Sequence, residues 1–300
     1  MRVLMTGSHG FVGSNLIEAF ESTYSIIRWD VREDKPLPEC DVMIHLAGLA
    51  HDTKRGKMSE GRWKKEDYFR VNTELTKRIY DRFLESGAKK FIFFSSIKAK
   101  DNGTPYARSK YLAERYIKEL SSELFSTTPN PSSQEEGEKR IYILRPCMIH
   151  GKGNEGNLNL LVKWVKKGLP WPLAAFENMR SFASMGNVVY VVSELLKKDV
   201  ESGIYNICDD EAVSTNELIE LIFECLGKKA HLWRIPKGLM KSIAKIGDAL
   251  HLPLNTERLG KLTENYIVSN REIKLAMGID RMPVDAKEGF RKSIRSLIKE

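Results

Sequence analysis

The chain has 300 residues, 42% hydrophobic and 29% charged, which is enough apolar material for one large domain or two smaller ones. Its formal net charge of +8 comes from 48 basic and 40 acidic residues scattered along candidate helices, so it reads as a solvated basic surface that attracts anionic substrates, with no nucleic-acid partner expected. Cys40, Cys147, Cys208 and Cys225 stand far apart with no metal-ligand spacing, and no apolar run approaches a membrane span; no metal and no stable membrane insertion are expected, and the chain reads as cytoplasmic.

Val3, Leu4 and Met5 read as a buried strand that breaks at Thr6-Gly7. Gly10 and Gly13 follow, and a helical apolar pattern starts at Phe11, Val12, Leu16 and Ile17. Strand, tight turn and helix in this order seat a pyrophosphate on a helix N-terminus, where glycines allow close approach and the helix dipole favours an anion. The bland alternative is a glycine-rich turn with no ligand. A second strand over 24–29 ends at Asp30, where a dinucleotide fold places the acidic group that accepts from the adenosine ribose hydroxyls. Asp30 favours NAD, while Arg28 and Arg32 beside it keep NADP open. The apolar run 41–48, closing on Leu46, Ala47 and Gly48, suits a parallel strand buried on both faces. It follows Asp30 so closely that one peripheral unit of the sheet is expected to be trimmed.

Residues 51–68 are highly charged and read as a loop at the mouth of the crevice. A helix is expected from Val71-Asn72 to Phe83, stopped by Gly87, and then a strand over 90–95. Ser95-Ser96 close that strand, and Tyr106-Ala-Arg-Ser-Lys110 follows. Tyr106 and Lys110, at i and i+4, share a helix face, so the ammonium can sit beside the phenol and lower its pKa toward a range useful for proton transfer. Such a pair alone decorates many helix surfaces. The glycine turn, Asp30, Ser-Ser and Tyr/Lys in this order give it meaning.

Residues 121–139, rich in Ser, Pro and Glu, read as a surface excursion. A strand over 141–145 is followed by the glycine-rich 150–157, a helix over 158–167 and the rigid turn Leu169-Pro-Trp-Pro-Leu173. After a strand over 204–207, Asp209-Asp210 read as turn residues, and Ser214 with Glu217 forms a capping box. Residues 236–250 form a basic amphipathic helix. Packing of a small domain by Leu239, Met240, Ile243, Ile246 and Leu250 is preferred there over a membrane-surface or partner role. A last amphipathic helix spans 285–299.

The segments TGSHGFVG, DVMIHLAG, VNTELT, FIFFSSI, YARSK and LRPCMIHGKGN together resemble an extended short-chain dehydrogenase/reductase of the NAD-dependent epimerase/dehydratase family, from residue 1 to roughly 281. The resemblance implies an α/β fold, a Rossmann-like doubly wound parallel sheet with a smaller α/β substrate-binding region. Residues 1–150 would form the NAD(P)-binding domain with the catalytic Ser/Tyr/Lys. Residues 151–300 would be mainly substrate-binding, with some segments returning to the Rossmann core. Gly7, Gly10 and Gly13 would cradle the pyrophosphate, with Phe11 and Val12 packed at the same turn. Leu46, Ala47 and Gly48 would line the cofactor, Ser95 would border it, and Asn72 would lie near its nicotinamide half. Ser96, Tyr106 and Lys110 match the family's triad: Tyr106 as acid/base, Lys110 tuning it and holding the nicotinamide ribose, Ser96 positioning the oxygen at C4. Asn157 and Arg180 would contact substrate, the guanidinium fork matching a diphosphate.

The implied activity is hydride transfer between NAD, with NADP open, and C4 of a UDP- or dTDP-activated hexose for cell-surface polysaccharide synthesis. It takes the form of a 4-epimerase or a 4-ketoreductase. The segments GKGN, GLPWPL and RSF resemble the branch with 4-keto-6-deoxy-N-acetylhexosamine reductases and lean toward the second. Ile97-Lys98 stand where 4,6-dehydratases carry Asp-Glu, which disfavours that reaction. The link from Ser96 to Tyr106 is shorter than in most relatives, so substrate contacts from that loop do not carry over. A reading from another class is a non-catalytic dinucleotide-binding regulator or scaffold; Ser96, Tyr106 and Lys110 together argue against it. A homodimer is left open.

Overall fold

The computed structural model describes all residues except 33–35, 51–62, 123–138, 155, 251–253 and 300. In chain order the elements are β1 (Arg2–Thr6), α1 (Phe11–Phe20), β2 (Ser25–Trp29), β3 (Val42–His45), α2 (Lys65–Tyr68), a π-helical stretch (Phe69–Glu74), α3 (Leu75–Glu85), β4 (Lys90–Phe94), α4 (Pro105–Leu120) and β5 (Arg140–Pro146). They continue with β6 (Met148–His150), α5 (Asn157–Lys166), β7 (Phe182–Ser184), α6 (Met185–Lys197), β8 (Gly203–Ile207), α7 (Thr215–Cys225), α8 (Lys237–Ala249), α9 (Thr256–Thr263), α10 (Arg271–Met277) and α11 (Ala286–Lys299). Two units divide them. The first comprises Met1–Cys147, Val188–Ile207 and Arg271–Asp280, and the second Met148–Asn187, Cys208–Asn270 and Arg281–Glu300.

The first unit is built on six parallel strands in the order β2-β1-β3-β4-β5-β8. The order reverses direction between β1 and β3, which opens a crevice outside their carboxyl ends. All four residues of β3 are buried, as its unbroken apolar sequence requires. Leu4, Met43, Phe91, Phe93, Ile141 and Ile143 pack with Ile79, Tyr80 and Phe83 of α3 and Ala113 and Ile117 of α4. Full burial of each large side chain contributes about 1.5–3 kcal/mol. β2 is an edge strand, and no helix lies between it and β3 among the described residues, in keeping with the trimmed peripheral unit.

The helix expected from residue 71 begins earlier. Lys64 is its N-cap, with its N–H donating to Asp67 Oδ2 at 3.0 Å. The charged run therefore supplies a first turn as well as a loop; residues 51–62 of the expected loop, and 123–138 of the expected excursion, lie outside the described residues. The π-helical stretch turns two successive polar side chains, Asn72 and Thr73, inward.

In the second unit β6 and β7 pair in parallel, His150 beside Ser184. Its core gathers Trp171, Phe176, Phe182, Ile219, Ile222, Phe290 and Ile294. The Ser214 capping box is present, the hydroxyl accepting from Glu217 N at 3.0 Å and Glu217 Oε2 from Ser214 N at 2.9 Å. Helix α8 packs differently from expectation. Met240, Ala244 and Gly247 are its buried residues, a Cβ on Gly247 would overlap the Leu254 carbonyl, and Leu239, Ile243, Ile246 and Leu250 are exposed. No helix among the described residues is long and apolar enough to cross a membrane.

Candidate active site

Gly7 leaves β1 at φ +67°, and a Cβ there would lie 2.6 Å from the Ala47 nitrogen. Both the backbone conformation and the adjacent end of β3 demand glycine. A Cβ on Gly13 would come within 2.8 Å of Ser8 Cα. Gly10 is different: exposed, at the N-cap of α1, with only Gly7 O at 3.3 Å from a built Cβ. Internal packing thus explains Gly7 and Gly13 but leaves open space in front of Gly10. No side chain caps this helix and no acidic residue sits in its first turn, so its unpaired N–H groups suit an anion. Phe11 and Val12 open the helix, half-buried.

Asp30 follows β2. Its carboxylate accepts from Arg32 Nε at 2.9 Å, Arg32 Nη2 at 2.5 Å and Arg32 N at 3.0 Å. The Arg32 contacts hold it well below the usual carboxylate range. Arg28 reaches Glu21 instead, at 3.6 Å. The Asp30 carboxylate is therefore held as an anion with an arginine already on it.

A buried relay joins the strand ends. The Leu46 and Ala47 N–H groups donate to Thr6 Oγ1, each at 3.2 Å. Thr6 Oγ1 donates to His45 Nδ1 at 2.7 Å, His45 Nε2 donates to Thr76 Oγ1 at 3.0 Å, and Thr76 Oγ1 donates to Asn72 O at 2.8 Å. That assignment follows from Thr76 having Asn72 O as its acceptor. Burial and the Lys110 charge keep His45 neutral, its pKa pushed down to about 3. Asn72 Oδ1 accepts from Leu49 N at 2.7 Å, and its Nδ2 donates to Leu49 O and Ser109 Oγ, each at 3.1 Å. A Cβ on Gly48 would lie 2.9 Å from Asn72 Oδ1 and 3.2 Å from Lys110 Nζ. The turn Leu46–Gly48, Asn72 and Lys110 are thus brought together.

Thr104 caps α4, its Oγ1 accepting from Ala107 N at 3.3 Å, with Pro105 in the first turn. This fixes Tyr106 one turn before Lys110. Burial raises the Tyr106 phenol above its ordinary value, opposed by a hydrogen bond from Ser96. The Tyr106 ring meets Tyr68 edge-on at 6.2 Å. Lys110 is buried, its Nζ donating to Phe94 O at 2.8 Å and lying 4.9 Å over the Phe93 ring. Burial pushes Lys110 down to about 8, with Glu114 pulling it back. The phenol is therefore raised where the helix spacing predicts lowering: desolvation dominates, and the ammonium is held on the Phe94 carbonyl.

Ser95, expected to border the cofactor, has its hydroxyl committed to Glu114 Oε1. The same buried carboxylate accepts from Arg145 Nε at 2.9 Å and from Arg145 Nη2. Glu114 and Arg145 were not expected in the site. Continuing the helix face one turn past Lys110 reaches Glu114, but its partners, Ser95 just past β4 and Arg145 on β5, carry no local signal.

The two candidate substrate residues lie in the second unit. Arg180 Nη1 donates to Lys261 O at 2.5 Å, and its guanidinium lies 5.8 Å over the Phe182 ring. Asn157 begins α5, and its side chain lies outside the described part of the structure. Asp209 and Asp210, expected as turn residues, are tie points. Asp209 Oδ1 accepts from Ser184 N at 2.9 Å and Asn187 Nδ2 at 2.7 Å, while Asp210 accepts from Asn270 Nδ2 at 2.9 Å and Met282 N at 2.7 Å.

Three comparisons bear on this arrangement. A UDP-glucose 4-epimerase of Vibrio cholerae is 26% identical across 99% of this chain and 95% of its own. The N-acetyl-α-D-glucosaminyl-diphospho-ditrans,octacis-undecaprenol 4-epimerase of Escherichia coli O157:H7 is 27% identical across 79% of this chain and 76% of its own. The fold matches the crystal structure of UDP-glucuronic acid 4-epimerase from Bacillus cereus in complex with NAD at a TM-score of 0.71, covering 100% of this chain and 97% of that one at 16% identity. The family model of NAD dependent epimerases and dehydratases matches residues 3–208, and the chain belongs to that family.

Proposed function

We propose that the chain is an NAD(P)-dependent 4-epimerase of a hexose carried on a diphosphate, most simply a nucleotide sugar serving cell-surface polysaccharide synthesis. The observation that carries this reading is the cluster of Ser96, Tyr106 and Lys110 at the carboxyl end of the sheet, one hydrogen-bond layer from Asn72 and Gly48. The 4-epimerases similar over most of its length support it. Gly10 and the open N-terminus of α1 would hold the pyrophosphate, Asp30 the adenosine ribose, and Lys110 the nicotinamide ribose; Asp30 favours NAD. When bound, the dinucleotide supplies the acceptor and donor of hydride for C4.

Tyr106 takes the C4 hydroxyl proton as the alcohol is oxidised and returns one after the keto sugar turns over and is reduced from its other face. Ser96 donates a hydrogen bond to the phenol oxygen and orients the oxygen at C4. Burial works against phenolate, so the Lys110 ammonium has to compensate, and it carries its charge below about pH 8. Arg180, whose Nη1 donates to Lys261 O, is the proposed diphosphate clamp, and Asn157 a further substrate contact. The diphosphate carrier can be a nucleoside or, as in the name of the Escherichia coli relative, a polyprenol.

A second reading, the 4-ketoreductase, is favoured by the GKGN, GLPWPL and RSF segments. Incubating purified protein with UDP-hexoses separates the two. Conversion without added dinucleotide supports the epimerase; turnover of a 4-keto sugar only with stoichiometric NAD(P)H supports the reductase. Dinucleotide binding with no turnover of either supports the regulator. Tyr106→Phe is expected to lower turnover by about 10²–10⁴-fold with dinucleotide binding retained, and unchanged turnover would refute the mechanism.

A further inference from the structure

We infer that helix α8 and the segment leading into it form a docking surface for an anionic lipid bilayer. The helix carries two apolar stripes. The first, Met240, Ala244 and Gly247, is packed into the second unit. The second, Leu239, Ile243, Ile246 and Leu250, follows i, i+4, i+7, i+11 spacing and faces outward, with Leu239 and Ile246 each 55% and Leu250 65% exposed. Trp233, four residues ahead of the helix, is 57% exposed. A row of four large aliphatic side chains and an indole is a costly thing to leave in water. Packing of the unit itself does not account for it, because the packing face is the other stripe.

Charge says what covers it. From Leu226 to Gly247 the sequence LGKKAHLWRIPKGLMKSIAKIG contains six Lys or Arg residues and no Asp or Glu. Lys229, Arg234, Lys241 and Lys245 are exposed and make no ion pair among the described residues. An outward apolar stripe with lysines on the remaining side and an exposed tryptophan is the composition of a helix that lies in a bilayer interface, apolar residues in the acyl boundary and ammonium groups at anionic headgroups. A second copy of the chain fits less well. A two-fold contact through this helix would bring two such basic runs together with one acidic residue in each helix, Asp248, to offset them.

Membrane docking would bring a sugar on a polyprenol diphosphate within reach, a link that rests on the substrate class named under the proposed function. The docking itself does not, and its test uses no substrate. The full-length protein is floated with vesicles of phosphatidylcholine alone and of phosphatidylcholine mixed with phosphatidylglycerol. The expected result is binding to the anionic vesicles that falls several-fold on neutral ones and in high salt. Replacing Leu239, Ile243, Ile246 and Leu250 together by Ser touches only exposed positions, and should cut vesicle binding by at least about tenfold with an unchanged melting curve. Replacing Lys229, Arg234, Lys241 and Lys245 together by Gln should remove the preference for anionic vesicles. Three outcomes would overturn the inference: no wild-type binding, binding that survives the four serines, or serines that convert a dimer to a monomer in light scattering while vesicle binding is absent.

Discussion

His45 and His150 are both almost fully buried, and each is the last residue of a parallel strand, one in each unit. The first closes a relay in which every polar atom has a partner, with Thr6 on one side of the ring and Thr76 on the other. The second is stacked flat on Phe290, centroids 3.9 Å apart, with Nδ1 hydrogen-bonded to Ser293 Oγ at 2.9 Å. Its Nε2 faces Asp209 Oδ2 at 3.5 Å, and neither atom has a hydrogen-bond partner among the described residues. The first unit therefore keeps its buried histidine neutral and concentrates positive charge on Lys110. The second sets the Asp209 carboxyl against backbone and side-chain donors from β7 and α6. The buried ammonium of the first unit lies among the proposed catalytic residues, and the buried carboxyl of the second ties β7 to α6.

The largest test of that contrast is Lys110→Met. Turnover should fall by about 10²–10⁴-fold, while the melting temperature should hold or rise. The sign follows from the depressed pKa. Unfolded, the lysine is charged up to about pH 10.4, whereas in the fold burial brings it down to about 8. At neutral pH the lysine is charged in both states, so the folded chain bears the cost of desolvating the ammonium, and that cost disappears with the side chain. A variant that loses activity and stability together would place Lys110 among the structural charges.

Asp209→Ala should act in the opposite way. It leaves Ser184 N and the Asn187 amide without their acceptor in the interior, which costs about 3 kcal/mol at the usual price of one to three per buried unsatisfied donor. Asp209→Asn should recover most of that loss, because the amide oxygen can still accept and its nitrogen can donate across the 3.5 Å gap toward His150. Urea unfolding of the two variants measures the difference. Equal losses would mean that the carboxylate charge, not its acceptor geometry, holds the loops.

Legibility in the sequence follows the same division. The glycine turn, the doubly buried β3 and the Tyr106/Lys110 spacing are local, so strand and helix periodicity expose them. The start at Lys64 was hidden because Lys64, Lys65, Glu66 and Asp67 look like a solvated run, and only the Asp67 cap shows them helical. The π-helical stretch breaks the 3.6-residue period at the place where Asn72 turns inward. Glu114 meets Ser95 and Arg145, 19 and 31 residues away, and Asp210 meets Asn270 and Met282 across 60 and 72; such distant partners leave no periodic trace. For α8 the pattern reveals an amphipathic helix, but which stripe packs is decided by small residues, Ala244 and Gly247, that let another segment approach.

The smallest effect concerns His45 and is read in pH. Its folded pKa, near 3, lies below the value of about 6.5 expected when unfolded. Stability from the neutral relay is complete above pH 6.5 and is lost as pH falls toward 3, since the unfolded chain takes up the proton first. Between pH 7.5 and pH 5.5 that linkage amounts to about 1.4 kcal/mol. His45→Gln cannot take up that proton, so its unfolding free energy should fall less over the same interval, by about this amount, whatever its absolute stability. A variant with the same pH slope as the wild type would show that the ring admits a proton inside the fold, and the first unit would then not be holding its charge on Lys110 alone.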